Sequence, residues 1–367
     1  MKKITLIILV LSLLLSLFSC GGTEYEPVPS TNEESETVMT LSLDGDTYEV
    51  KYELYRALFL NYKDAVSGGD DSVWTGDGKD EYIEKIENII LERAASIYAA
   101  FAICKNIGFD VYSNGVEKKI NQYIKESVEG GDSAEGYGSY EKYLEVLRSM
   151  NLNYSVQTLL YRYAIATEAI DNHYIGTLSA DDINGSISVG SLKYTREDVK
   201  SYYESNECVR VLRAHIQASA HYDPLEYANR VKSNMEDAAI NGEDDVATVI
   251  INSGLTAPTE VSNGYLIGKH NLDSFYFEDM TKAAFELSKN EVSSVIDINN
   301  GEERILYILY KAEKSDEHFE HCYNEIAYVY LTDTVGEIID HAKDALYESA
   351  VYSDFLKSLD RSTVSME

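Results

Sequence analysis

Residues 209–218 read VRVLRAHIQA, an apolar–polar alternation of period two that predicts a β-strand. The chain before it carries a different period. Leu54, Leu58 and Tyr62 share a helical face over 51–65. Ile83, Ile86, Ile90, Ala94, Ile97 and Phe101 then keep a 3.6 spacing until Gly108. Asp80 is a candidate cap for that second helix. Ser113 opens a helix bearing Val116, Ile120, Ile124 and Val128, and helices are expected over 140–150 and 153–174. Thr195 and Asp198 approximate a capping box, with Val199, Tyr202 and Tyr203 following. Before all of these, residues 39–50 alternate around Asp44-Gly45, the signature of a short hairpin.

After the strand, a helix is expected over 224–239, loop and turn over 260–269, and a short helix over 279–287. Strands are expected over 292–298 and 305–310. Helix returns over 324–359, with Ile326, Tyr330, Ile338, Ala342, Leu346 and Phe355. A mixed small sheet flanked by long helical stretches makes the fold class α+β.

Of the 367 residues, 44% are hydrophobic, enough to bury real cores and to exclude a disordered chain. Sixty-three acidic residues against 31 Lys and Arg give a formal net charge of −32. A surface that acidic repels phosphate backbones, so no nucleic-acid partner is expected. Thirty tyrosines against nine phenylalanines suit surfaces that are half wet. Asp70, Asp71, Asp77 and Asp80 miss the EF-hand spacing, and His318, His321 and Cys322 lack the i, i+4 histidine pair of a zinc helix. Neither a metal nor a cofactor is expected.

The first twenty residues read as a targeting segment. Lys2 and Lys3 precede an apolar run, Ile4 to Phe18, too short to span a bilayer. Leu17-Phe18-Ser19-Cys20 closes that run and resembles the bacterial lipoprotein signal, in which the cysteine becomes the acylated first residue. Cys20 is therefore the expected lipidation site, and the location an extracytoplasmic membrane face. With Cys20 acylated, Cys104, Cys208 and Cys322 remain, too few for a disulfide framework. Residues 21–38 read as a disordered tether.

Two further stretches resemble one family. Tyr143 to Leu160 (YLEVLRSMNLNYSVQTLL) looks like the helical chaperone domain of SurA, PrsA and PpiD-type foldases, as do the opening hairpin and Tyr194 to Glu204. Arg213-Ala214-His215-Ile216, the Gly264-Tyr265-Leu266-Ile267-Gly268 turn, and Ala283-Ala284-Phe285-Glu286-Leu287 with Asn290-Glu291-Val292-Ser293 resemble a parvulin-type peptidyl-prolyl isomerase domain. The resemblance implies a signal peptide over 1–20, a tether over 21–38 and a SurA-N-like helical chaperone domain over 39–206. It further implies an inserted parvulin-like domain over 207–316, with C-terminal helices over 317–367 packing back on the chaperone domain.

Rotating an X-Pro amide meets a barrier of roughly 18–20 kcal/mol. Catalysis needs no nucleophile or metal, only an apolar pocket for the ring and polar groups that favour the twisted amide. Carried over position by position, the resemblance assigns His215 as the first histidine of such a site. Phe285, Met280 and Tyr276 fall on the proline pocket. The family's Cys or Asp position falls near Gly254 or Leu255, neither able to do that work. The last strand carries no histidine, and Tyr307 is the nearest substitute. The resemblance thus implies a membrane-anchored foldase, an isomerase with an eroded site, whose partners are unfolded or partly folded exported proteins. A chaperone with a degenerate parvulin domain is the alternative, and a solute-binding lipoprotein the second.

Overall fold

The structure, a computed structural model, describes residues 25–74, 76, 78–131, 135–176, 190–220, 223–253, 256–270, 274–299, 304–361 and 364–365. The fold is α+β, mostly helical with two small antiparallel sheets. Two compact units form: Met1–Ile170 with Ile339–Glu367, and Asp171–Ile338. The division falls at 170/171 and 338/339, whereas the sequence pattern places it at 206/207 and 316/317.

In the first, helical unit, β1 (Thr37–Leu43) and β2 (Asp46–Lys51) form a hairpin, Leu43 opposite Asp46. Its turn needs positive φ at both central positions, supplied by Asp44 (52°) and Gly45 (87°). Helix α1 (Tyr52–Ser67) follows without a loop, and its lysine N-cap supplies no side-chain bond. The orphaned N–H groups of Tyr52 and Glu53 instead donate to the carbonyls of Glu36 and Glu34. Residues 25–36 are thus part of the fold rather than a disordered tether, while residues 21–24 of that expected tether lie outside the described residues. Their low hydrophobicity hides a fabric of side-chain hydrogen bonds. Ser30 donates to the buried Glu53 carboxylate at 2.5 Å, and Arg56 pairs with Glu34 at 2.5 Å. Burial pushes the Glu34 carboxyl up, but the Thr31 N–H, Arg56 and Asn153 outweigh it and hold the group at about 2.

Helix α2 (Lys79–Asn106) is buried almost all round over Ile97–Cys104, which its alanines permit. Gly78 stands at its N-cap and Asp80 sits in the first turn, so Asp80 is not the cap expected of it. Helix α3 (Asn114–Glu129) is capped by Ser113 and buries Val116, Ile120, Ile124 and Val128, the stripe read from sequence. Helices α4 (Tyr140–Ser149) and α5 (Tyr154–Tyr174) complete the bundle.

The second, sheet unit begins in earnest with α6 (Arg196–Glu204), where Thr195 and Asp198 make both bonds of the capping box. Strand β3 (Cys208–Gln217) comes next, then α7 (Pro224–Ala239), α8 (Glu243–Asn252), α9 (Pro258–Asn263) and β4 (Tyr265–Gly268). Helix α10 (Ser274–Glu286), β5 (Ile296–Asn299) and β6 (Arg304–Lys311) close the sheet, in the order β4-β3-β6-β5 with every pair antiparallel. The predicted strand over 292–298 is shorter than expected, with only a Val292–Tyr310 bridge ahead of β5.

Alternation in β3 sorts its residues onto two covered faces. Leu212, Ala214 and Ile216 pack with Ala228, Val231 and Met235 of α7 and with Val246 and Ile250 of α8. Val209 and Val211 pack with Met280 and Ala284 of α10 and with Tyr307 and Leu309 of β6. Each such buried aliphatic contributes about 1.5–3 kcal/mol. A third cluster explains the unit's boundaries. Val199 and Tyr203 of α6 join Cys208, Leu266, Phe319 of α11 (Asp316–His321), and Ile326 and Ala327 of α12 (Tyr323–Glu348). The described residues of 171–206 and 317–338 therefore belong with the sheet.

The C-terminal stretch expected to be helix to 359 breaks at Glu348. Strand β7 (Val351–Tyr352) pairs with β1, Met39 opposite Tyr352, before the short helix α13 (Asp354–Ser358). Residues 339–367 are thereby built into the helical unit.

Candidate functional site

The site is assembled on the α10-facing side of the sheet. His215 and Tyr307 lie directly opposite one another in the β3–β6 register. Their rings stand 5.2 Å apart, tilted by 32°. His215 is half-buried and Tyr307 is buried, a member of the layer that holds Met280. Met280 is fully buried there, and Phe285 packs half-buried against the same layer. Two of the residues named from sequence, His215 and Tyr307, thus share one face of the sheet, and two more, Met280 and Phe285, belong to the helix packed on it. Tyr276 lies on α10, but its side chain is outside the described residues, as are Gly254, Leu255 and Cys20. Thr256, the first described residue beyond the Gly254–Leu255 pair, donates its hydroxyl to the Arg213 carbonyl at 2.8 Å. That bond holds the following segment against β3.

Arg213 joins the group, two residues before His215 and so on the same face. Its guanidinium lies 4.1 Å from the Tyr265 ring centroid and 5.7 Å from that of Tyr307. Glu260 Oε2 is 3.8 Å from Arg213 Nη2, and the Glu260 side chain is well exposed. Sequence reasoning passed over Arg213 and Tyr265. Their signal was present in the period-two spacing of 213 and 215, and in the turn from which Tyr265 projects.

Two glycines shape that turn. Gly264 ends α9 at φ +73°, and a Cβ there would meet Arg210 Nε at 2.8 Å. A Cβ on Gly268 would run into the Asp333 carboxylate. Asp333 is buried, and burial raises its carboxyl above the usual range. It accepts from the His270 N–H at 2.5 Å and from the Tyr202 hydroxyl at 3.0 Å. Arg210, buried, donates to the carbonyls of Asn263 and Glu313 and pairs with Glu243 at 2.7 Å. These contacts fix β4 against β3 and so set where Tyr265 stands.

His318 is the second histidine of note in the unit. It is buried, and its Nε2 lies against the Asn263 carbonyl, which can only accept. Nε2 therefore carries the proton, and Nδ1 accepts from the Tyr203 hydroxyl at 2.8 Å. Burial, reinforced by the Arg210 charge, pushes its pKa down to about 4. A neutral imidazole with both nitrogens engaged is a structural crosslink. Among the described residues no cluster of His, Cys, Asp and Glu could hold a metal.

No family model matches the chain, and no curated protein matches it. Among solved structures it is similar to the foldase protein PrsA from Streptococcus pneumoniae, at 16% identity over 83% of this chain and 92% of that one, with a TM-score of 0.24. It is likewise similar to PrsA from Lactococcus lactis, at 17% identity over 90% of this chain and all of that one, also with a TM-score of 0.24. At that TM-score the likeness decides nothing about function. Among the described residues no helix is long and apolar enough to cross a membrane.

Proposed function

We propose that this chain is an extracytoplasmic foldase, tethered through acylated Cys20, that receives non-native exported polypeptides and accelerates rotation about their X-Pro bonds. The observation that supports it most is the cross-strand pair His215–Tyr307 beside the layer of Met280 and Phe285. Polar groups at an apolar sheet face match what the reaction requires. The barrier falls if a donor or dipole favours the pyramidal nitrogen and twisted carbonyl while apolar side chains hold the ring in place. In this reading His215 and Tyr307 supply the polar contacts and Met280 and Phe285 the apolar wall, with Tyr276 the remaining residue that the family resemblance assigns to it. The helical unit holds clients while the sheet unit turns their prolines.

The test uses the mature chain with a fluorogenic X-Pro peptide and with an aggregating reporter protein. Exchange faster than the uncatalysed tens to hundreds of seconds, lost in His215→Ala, is the expected result. Suppressed aggregation without faster exchange would leave a chaperone with a degenerate isomerase fold. The replacement of a second histidine by buried Tyr307 favours that second reading. Neither activity would remove both.

A further inference from the structure

We propose that the helical unit is held with the end where α3 finishes and α4 begins turned toward the bilayer, Tyr25 lying within about 18 Å of the lipid headgroups. The inference rests on the acylation of Cys20 and goes beyond it by saying which part of the fold meets the membrane. Its basis is the path of residues 25–36. Tyr25 stacks on Tyr140, ring centroids 4.9 Å apart and 24° between planes. The Tyr25 hydroxyl donates to Glu129 at 3.0 Å, and the Tyr140 hydroxyl returns a bond to the Glu26 carbonyl at 2.8 Å. Tyr140 stacks in turn on Tyr143, a fully buried ring of the bundle. Ser30, Glu34 and Glu36 then tie this strap to α1, so it is fastened along its length.

Four residues lie between Cys20 and Tyr25, which makes five Cα-to-Cα steps. Fully extended, that chain reaches at most about 18 Å. An acyl chain on Cys20 holds that residue at the headgroup level, so Tyr25 and its partners lie within the same distance of it. Attraction is not the cause: Glu129, Glu135 and Glu141 are exposed at this end, and the chain as a whole is acidic. A covalent leash too short to swing the unit away sets the orientation. The opposite end of α3, at Asn114, is about 24 Å further along a helix of 16 residues.

The experiment places a fluorophore on Glu141→Cys or on Asn114→Cys, both exposed, in the full acylated chain. Cys104, Cys208 and Cys322 are buried and leave the introduced thiol as the labelling target. The protein is reconstituted in vesicles of phosphatidylethanolamine and phosphatidylglycerol carrying a headgroup quencher. Quenching at 141 is expected to exceed that at 114 by at least twofold. The difference should shrink in the Tyr25→Ala, Ser30→Ala background, which frees the strap. A chain without the acyl mass, or one that floats with vesicles equally well as Cys20→Ser, would remove the anchor itself. An acylated, vesicle-bound chain with equal or reversed quenching would overturn the orientation alone. So would a difference that persists undiminished once the strap is cut loose.

Discussion

Two of the histidine–tyrosine pairs in the sheet unit do opposite things. His318 and Tyr203 stack at 5.7 Å and 19° inside a core, with both imidazole nitrogens engaged. His215 and Tyr307 stand at nearly the same separation, 5.2 Å and 32°, but across two strands, with the imidazole half-buried at a sheet face. The same two side chains make a crosslink in one place and a candidate reaction surface in the other. What differs is the cover over the imidazole: His318 is closed in by its core, whereas the His215 ring is only part-buried, although Tyr307 and the His215 Nε2 atom are themselves buried. A part-exposed ring is the one a ligand can approach.

The largest effect expected from this contrast is on stability. His318→Ala strands the Tyr203 hydroxyl and the Asn263 carbonyl in a buried place, at a cost of about 2–4 kcal/mol. Unfolding free energies from denaturant titration should fall accordingly, while His215→Ala lowers them by less than about 1 kcal/mol. Equal losses from the two substitutions would erase the distinction between the pairs.

Acid should destabilise the enclosed pair. The His318 pKa is depressed from 6.5 to about 4 in the folded chain. Below 6.5 the unfolded chain takes up a proton that the folded chain refuses, so stability falls as pH drops from about 6.5 to about 4. Melting temperatures across that range should flatten in His318→Gln. An unchanged slope in His318→Gln would mean that another group drives the acid sensitivity.

Catalysis should invert the ranking. His215→Ala is expected to slow X-Pro exchange at least tenfold, about 1.4 kcal/mol of barrier, with the fold intact. His318→Phe, at a temperature where it stays folded, should retain the rate within about twofold. The smallest effect is assigned to Tyr307→Phe. It keeps the ring that packs in the α10-facing layer and removes only the hydroxyl, so stability should shift by less than about 1 kcal/mol and exchange should slow severalfold. A rate unchanged in Tyr307→Phe would leave the ring as packing and His215 as the polar group that acts.

Much of the molecule was legible in the order of its residues. Ser113, the Thr195–Asp198 box and Asp223 before Pro224 start their helices by bonding within three residues, so local chemistry sufficed to place α3, α6 and α7. Strands β3 and β6 were read from composition and period because they are long and lie at the centre of their sheet. The short pieces were not. Tyr265–Gly268 reads as a turn and Val351–Tyr352 as the tail of a helix, since strands of four and two residues owe their form to the partner strand. The strap over 25–36 was illegible for the same reason, its bonds reaching residues far along the chain.

The order of residues alone determined that the fold would be α+β and that Arg213 and His215 would share a strand face. Period-two alternation and helix caps act over a few residues and need nothing distant. Only the folded chain decided that His215 meets Tyr307, that Arg213 lies against Tyr265, and that His318 is locked. Those outcomes turn on strand register and on side chains more than 50 residues apart in sequence, and no local rule encodes either.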